Sequence, residues 1–204
     1  MTHLINPSNI SRPDFAAIAE WIRPGAKVLD LGCGDGSLLR YLGDRRDIFG
    51  YGVEIDDQNV LGCFKNGVNV IQNDLESGLS SFESSSFDYV ILSQTLQAMR
   101  HIEIIVEEML RVGKEVIVSF PNFGYWKNRM QVISGHMPVS EILPYHWYDT
   151  PNIHLCTLGD FEMLCHQYNA HILERIVMNG NQQVKVLPNL LGILAFYRFE
   201  RQKK

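Results

Sequence analysis

No run of about 20 consecutive apolar residues, the length a membrane-spanning helix needs, occurs in the 204-residue sequence. Nothing in it therefore reads as a membrane anchor. The opening, MTHLINPSNISRPD, lacks the basic-then-apolar order of a secretory signal. A cytoplasmic location is the expectation. Cysteine is scarce. Cys33, Cys63, Cys156 and Cys165 form no CxxC pair and no metal-ligand spacing. They read as free thiols in a reducing compartment, packed as small hydrophobes, with no metal. A basic block is also missing, and the formal net charge is -5. Nucleic acid, which wants clustered cations, is not an expected partner. The only local basic excess, Arg198 to Lys204, reads as a solvated terminus. There is no internal repeat, no low-complexity linker and no GxSxG elbow. The last absence argues against an acyltransferase of the α/β-hydrolase type.

What is present is an alternation of strand and helix signals. Strand-like runs lie at Lys27–Leu31, Ile48–Val53, Val68–Ile71, Phe87–Leu92 and Glu115–Phe120. Helical segments lie at Asp14–Trp21, Ser37–Gly43, Asp57–Asn66 and His101–Leu110. This order implies an α/β fold of three layers, a mostly parallel sheet with helices on both faces. A loop-rich insert follows at about 121–157, then a helix at Gly159–Tyr168 and strand runs at Ala170–Val177 and Leu191–Phe199. The length fits one domain, 1–204.

The first strand runs into VLDLGCGDG, with Gly32, Gly34 and Gly36 at alternate positions. Glycine permits positive φ and removes the Cβ that would hold a ligand off the backbone. In parallel sheets ligands bind at this end of the strands. The spacing GxGxG departs from the dinucleotide fingerprint GxGxxG. Asp30, two residues before Gly32, would repel a pyrophosphate and suit a cation. S-adenosylmethionine carries an ammonium and a sulfonium, so Asp30 can hold its amino-acid end directly or through water. A carboxylate that only satisfies loop N–H groups is the plainer alternative.

Glu54 ends the second strand and can accept two ribose hydroxyls. Asp74 and Leu75 follow the third strand, placed for the amine and ring of adenine, although Asp74 also fits a helix N-cap. Ser93 opens SQTLQ after the fourth strand, at the methionine end, where capping explains Ser93 and Thr95 nearly as well. Cys33 and Ile55 complete the expected cofactor-contacting set. The insert holds Phe123, Tyr125, Trp126, Tyr145, Trp147 and Tyr148, with His136, His146, His154 and Asp149. It reads either as a cap and partner surface or as aromatics packed on the body. Tyr145, His146, Tyr148 and His154 are possible acceptor-side groups, and no spacing singles out a catalytic residue.

DxGxGxG, an acid after the second strand and an aspartate after the third resemble the class I S-adenosylmethionine-dependent methyltransferases over about 28–120. VLDLGCGDGSLL, GYGVEID, DYVILSQTLQA, VSFPNFGYW and WYDTPNIHLCTLGDFE together resemble the MetW family of methionine biosynthesis. The resemblance implies a Rossmann-like sheet of seven strands with the last antiparallel. It implies S-adenosylmethionine, or S-adenosylhomocysteine as bound product. It also implies an accessory or regulatory role beside homoserine O-acyltransferase, with methyl transfer to an unknown small molecule as the alternative.

Overall fold

The computed structural model describes residues 13–202. The opening segment weighed above as a secretory signal lies outside them, apart from its last residues.

Helix α1 (Pro13–Trp21) precedes strand β1 (Lys27–Leu31). Then come α2 (Ser37–Arg46), β2 (Phe49–Glu54), α3 (Asp57–Lys65) and β3 (Asn69–Gln72). Next are β4 (Phe87–Ser93), α4 (Ile102–Val112) and β5 (Gly113–Pro121). The sheet order is β3-β2-β1-β4-β5-β8-β6-β7, in which β8 (Leu194–Arg201) inserts between β5 and β6 (Ala170–Asn179). The first five strands pair in parallel, and β8 is antiparallel to both neighbours. The expected architecture is thus present, with one addition. A two-residue strand, β7 (Gln182–Gln183), returns along β6 and makes the sheet eight-stranded.

Burial follows strand alternation. Leu29 and Leu31 enter one core with Val106, Met109 and Phe161 from α4 and α6 (Leu158–Gln167). Val28 enters a second core with Ile18, Leu39 and Cys63 from α1, α2 and α3. From Val28 to Leu31 both faces of β1 are dry, which is why Val28, Leu29 and Leu31 are apolar. In that setting Asp30 is an exception to explain.

The insert is loop-rich, with one helix, α5 (Trp126–Ile133), that the sequence expectations do not include. Two expectations are corrected. The run Leu191–Phe199 begins as a short helix, α7 (Pro188–Leu191), before β8. Residues 198–201 are not a frayed tail. They are the end of β8, where Arg198 pairs with Glu115 at 2.9 Å and Glu174 at 2.6 Å.

Between β3 and β4 stands a single 3₁₀ turn, Leu75–Ser77, in place of a helix. Arg111 holds this stretch, donating to the carbonyls of Phe82 and Leu79 (2.8 and 2.9 Å) while paired with Glu108. The missing helix leaves Phe49, Tyr51 and Ile71 exposed at the β2–β3 flank. Tyr51 shares a face with Val53, and Ile71 pairs opposite Val53.

Candidate functional site

The turn after β1 is held from below by β2. The N–H groups of Gly32 and Cys33 both donate to the Val53 carbonyl, at 2.8 and 3.1 Å. Gly36 N–H closes the turn on the Cys33 carbonyl at 3.0 Å. The three glycines all have positive φ, near 65°, 56° and 78°, yet their surroundings differ. A Cβ on Gly32 would meet the Thr95 side chain at 2.9 Å. A Cβ on Gly36 would crowd Cys63 and Val68 at 3.1 Å. A Cβ on Gly34 would meet nothing within 4 Å. Packing therefore accounts for two of the glycines, and the third faces open space.

Glu54 is 7% exposed, and each of its oxygens accepts from backbone donors. Gly34 N–H donates to its Oε2 at 2.8 Å, and Ile55 and Asp56 N–H donate to Oε1 at 2.8 and 2.9 Å. One carboxylate thus ties the end of β2 to the middle glycine.

Asp30 is 2% exposed and faces the same side of β1 as Val28. It sits behind the turn, close enough for its charge to act on the Cys33 and Cys63 thiols. Burial first, and then the neighbouring acids, push the Cys33 thiol far up, and burial raises Cys63 as well. The two sulfurs lie 3.7 Å apart, and both thiols point to the Gly34 carbonyl. The Cys33 side chain is thus part of the packing under the turn.

The remaining expected residues are less uniform. Ile55 is exposed beside Glu54. Asp74 is exposed and caps the 3₁₀ turn, accepting from Glu76 N–H at 2.9 Å, with Leu75 half-buried next to it. Ser93 is half-buried, its hydroxyl 2.9 Å from that of Ser119. Thr95 caps nothing with its side chain; its hydroxyl donates to the Ser93 carbonyl at 3.1 Å. Its contact with Gly32 joins two loops and has no local sequence signal. Nor does the role of Ser119, a mid-strand serine that also accepts from Gln94 N–H. Gln94 itself has a φ of 53°.

The insert is stitched to this end of the sheet. Ile153 and His154 N–H donate to the Gln97 carbonyl at 2.8 and 3.0 Å, and Phe123 N–H donates to the Cys156 carbonyl. Within it Pro138 and Leu143 are buried. A cavity of about 320 Å³ lies between the end of β5 and the insert, lined by Asn122, Tyr125, Asn128 and Leu143 among others. Tyr145, His146 and Tyr148 stand exposed, and His154 Nε2 lies 3.4 Å from the Arg100 carbonyl. Of the four, His146 and Tyr148 stack on each other, with ring centroids 5.4 Å apart. Among the described residues no group of three or more His, Cys, Asp or Glu could hold a metal, and no helix is long and apolar enough to cross a membrane.

The arrangement offers a bare backbone approach at Gly34, an acid at each of two neighbouring strand ends and the buried Asp30 carboxyl behind the turn. Similar folds recur among known structures. The chain superposes on a putative S-adenosylmethionine dependent methyltransferase from Listeria monocytogenes with a TM-score of 0.69 and 14% identity, over 94% of this chain and 99% of that one. It superposes on the [4+2]-cyclase SpnF with a TM-score of 0.67 and 16% identity, over 94% and 81%. The second case shows that this fold does not dictate one reaction. At sequence level the chain is 37% identical, over 218 aligned residues, to a bifunctional methionine biosynthesis protein MetXA/MetW of Rhodopirellula baltica. The match covers 100% of this chain and 35% of that one, so the chain spans about a third of the relative's length. The family model for methionine biosynthesis protein MetW matches residues 12–199. The chain belongs to the MetW family.

Proposed function

We propose that this protein binds S-adenosylmethionine, or its demethylated product S-adenosylhomocysteine, across Gly32–Gly36. We infer further that it serves methionine biosynthesis as an accessory or regulatory partner of homoserine O-acyltransferase. The observation that carries the cofactor reading is the open space above Gly34, in a turn whose other two glycines are consumed by packing. The residues fit the group. Glu54 keeps its outward lone pairs for the ribose hydroxyls while its inward ones hold the loop. Ile55 and Leu75 offer apolar flanks to adenine, and Asp74 has one carboxylate oxygen left for the exocyclic amine. Asp30 is only 2% exposed, behind the turn, and can hold the ammonium directly where the ligand reaches it. Otherwise its charge reaches the ligand through the turn or through a bridging water. Ser93 stands at the methionine end. The bound sulfonium would supply an activated methyl group.

The partnership rests on the Rhodopirellula baltica relative, which joins MetXA and MetW in one chain. Fusion raises the concentration of one module at the other to the order of mM. Titration calorimetry of purified protein with S-adenosylmethionine tests the first half. Micromolar or tighter binding is expected, and heat indistinguishable from buffer would overturn it. Acyltransferase rates with and without this chain test the second half. A rate that ignores both the chain and added cofactor would end the regulatory reading. Active methylation of a small molecule is favoured by one feature, the 320 Å³ cavity beside the end of β5. It predicts a labelled product from labelled cofactor and cell metabolites.

A further inference from the structure

The insert between β5 and α6 leaves a large apolar surface in water. Trp147 is 73% exposed and Tyr148 69%. Together they present on the order of 300 Å² of aromatic side chain. His146 stacks on Tyr148 with centroids 5.4 Å apart and planes within 7°, and Trp147 meets Tyr148 edge-on at 5.7 Å. The three rings thus form one aromatic cluster. Along α5, Trp126, Met130 and Ile133 recur at helical spacing, and all three are exposed. Residues 121–157 carry only four charged side chains in 37, Lys127, Arg129, Glu141 and Asp149. Charge depletion with exposed Trp, Tyr and Met is the composition of an interface core. A patch of this size matches the largest that a monomer ordinarily exposes, about 300–600 Å², and such patches commonly serve binding.

We propose that this aromatic face, centred on Trp147 and Tyr148, is the surface on which the homoserine acyltransferase docks. The proposal rests on the partnership inferred above and adds where the partner sits. Two observations select this occupant over a second copy of the chain. The relative that matches the whole of this chain devotes 35% of its length to the match and is named for a MetXA function joined to it. And the face is rooted beside the cofactor turn. Ile153 and His154 hang from the Gln97 carbonyl, and Gln97 lies two residues from Thr95, which packs on Gly32. A partner seated on the insert is thereby placed to sense the turn. The flank bearing Phe49, Tyr51 and Ile71 is also exposed and β2 links it to the same turn through Val53 and Glu54, so a complex that survives the Trp147 variants would point there.

The test uses the two full-length proteins, purified separately and titrated by sedimentation velocity. The wild-type chain should form a complex. Trp147→Ser/Tyr148→Ser should weaken it at least 30-fold, as loss of a central aromatic pair does. Phe64→Ser, which alters an exposed aromatic on α3, should leave it unchanged. Unaltered melting temperature and cofactor affinity would show that the double variant folds, and Trp147→Glu provides a second variant if it does not. A complex that survives both Trp147 variants overturns the docking surface while leaving the partnership intact. Self-association of the wild type that Trp147→Glu abolishes, with no acyltransferase bound, assigns the face to a second copy and overturns the proposal. A wild type that binds neither sinks the partnership together with the surface.

Discussion

Replacing Gly34 by alanine separates a ligand's need for glycine from the backbone's need for it. Gly34 has φ near 56°. An L side chain in that region costs about 1–2 kcal/mol. In a chain of this size each kcal/mol lowers the melting temperature by roughly 2–4 °C, so Gly34→Ala should melt about 2–8 °C below the wild type. Gly25, in the turn before β1, provides the matched control. Its φ is near 72°, and a Cβ there likewise meets nothing within 4 Å. Gly25→Ala should therefore lose a similar amount of stability. Any gain from a stiffer unfolded chain is common to both variants and cancels. The two should diverge in calorimetry with S-adenosylmethionine. A methyl group in the approach path costs about 1–3 kcal/mol, a 5- to 150-fold loss of affinity, for Gly34→Ala only. Equal affinity in both variants would mean that nothing approaches Gly34, and the site assignment would fall. Equal loss in both would trace the effect to stability and not to proximity.

Glu54→Ala and Asp30→Ala should each weaken cofactor binding by about 1–3 kcal/mol, the scale of a lost charged hydrogen bond; calorimetry on folded variants with unchanged affinity would contradict those roles. Arg111→Leu removes two bonds to buried-loop carbonyls and the Glu108 pair, and should cost about 2–4 kcal/mol in urea denaturation. Its pH dependence has a definite sign. The hydrogen bond from Arg111 holds the Glu108 carboxyl below its ordinary value of 4.5, so this stabilisation is present above that value and lost as pH falls through the lower, folded one. The gap between wild type and variant should therefore be full at pH 7 and narrower at pH 3, and a gap that widens in acid would be inconsistent with the pair. Burial pushes the Cys156 thiol up to about 12, so in the native protein at pH 8 it should react with a disulfide reagent far more slowly than in urea; equal rates would place it in water.

The parallel half of the sheet was legible because β1, β4 and β5 are dry on both faces and so nearly continuous in apolar residues. The turn at Gly32–Gly36 was legible as a turn, because alternate glycines after such a strand mark positive φ and close packing. Helix α5 escaped notice because its apolar stripe, Trp126, Met130 and Ile133, faces water, where inward packing is the signal normally read. β7, with two residues, has no pattern to read. Arg198 looked like part of a basic tail because its partners Glu115 and Glu174 lie 83 and 24 residues away. The burial of Asp30 was hidden as well, since DLG can set a carboxylate toward solvent or behind the turn with equal ease. Only the neighbouring strands, Gly52 on one side and Ile91 on the other, decide it.

The flank where β3 lacks a helical cover has a practical consequence. In concentrated solution it offers neighbouring molecules a strip of bare pleat, but β3 is four residues long and ends in Asn69 and Gln72. An intruding chain could extend the ladder there by four rungs at most, too few for a growing filament to take hold.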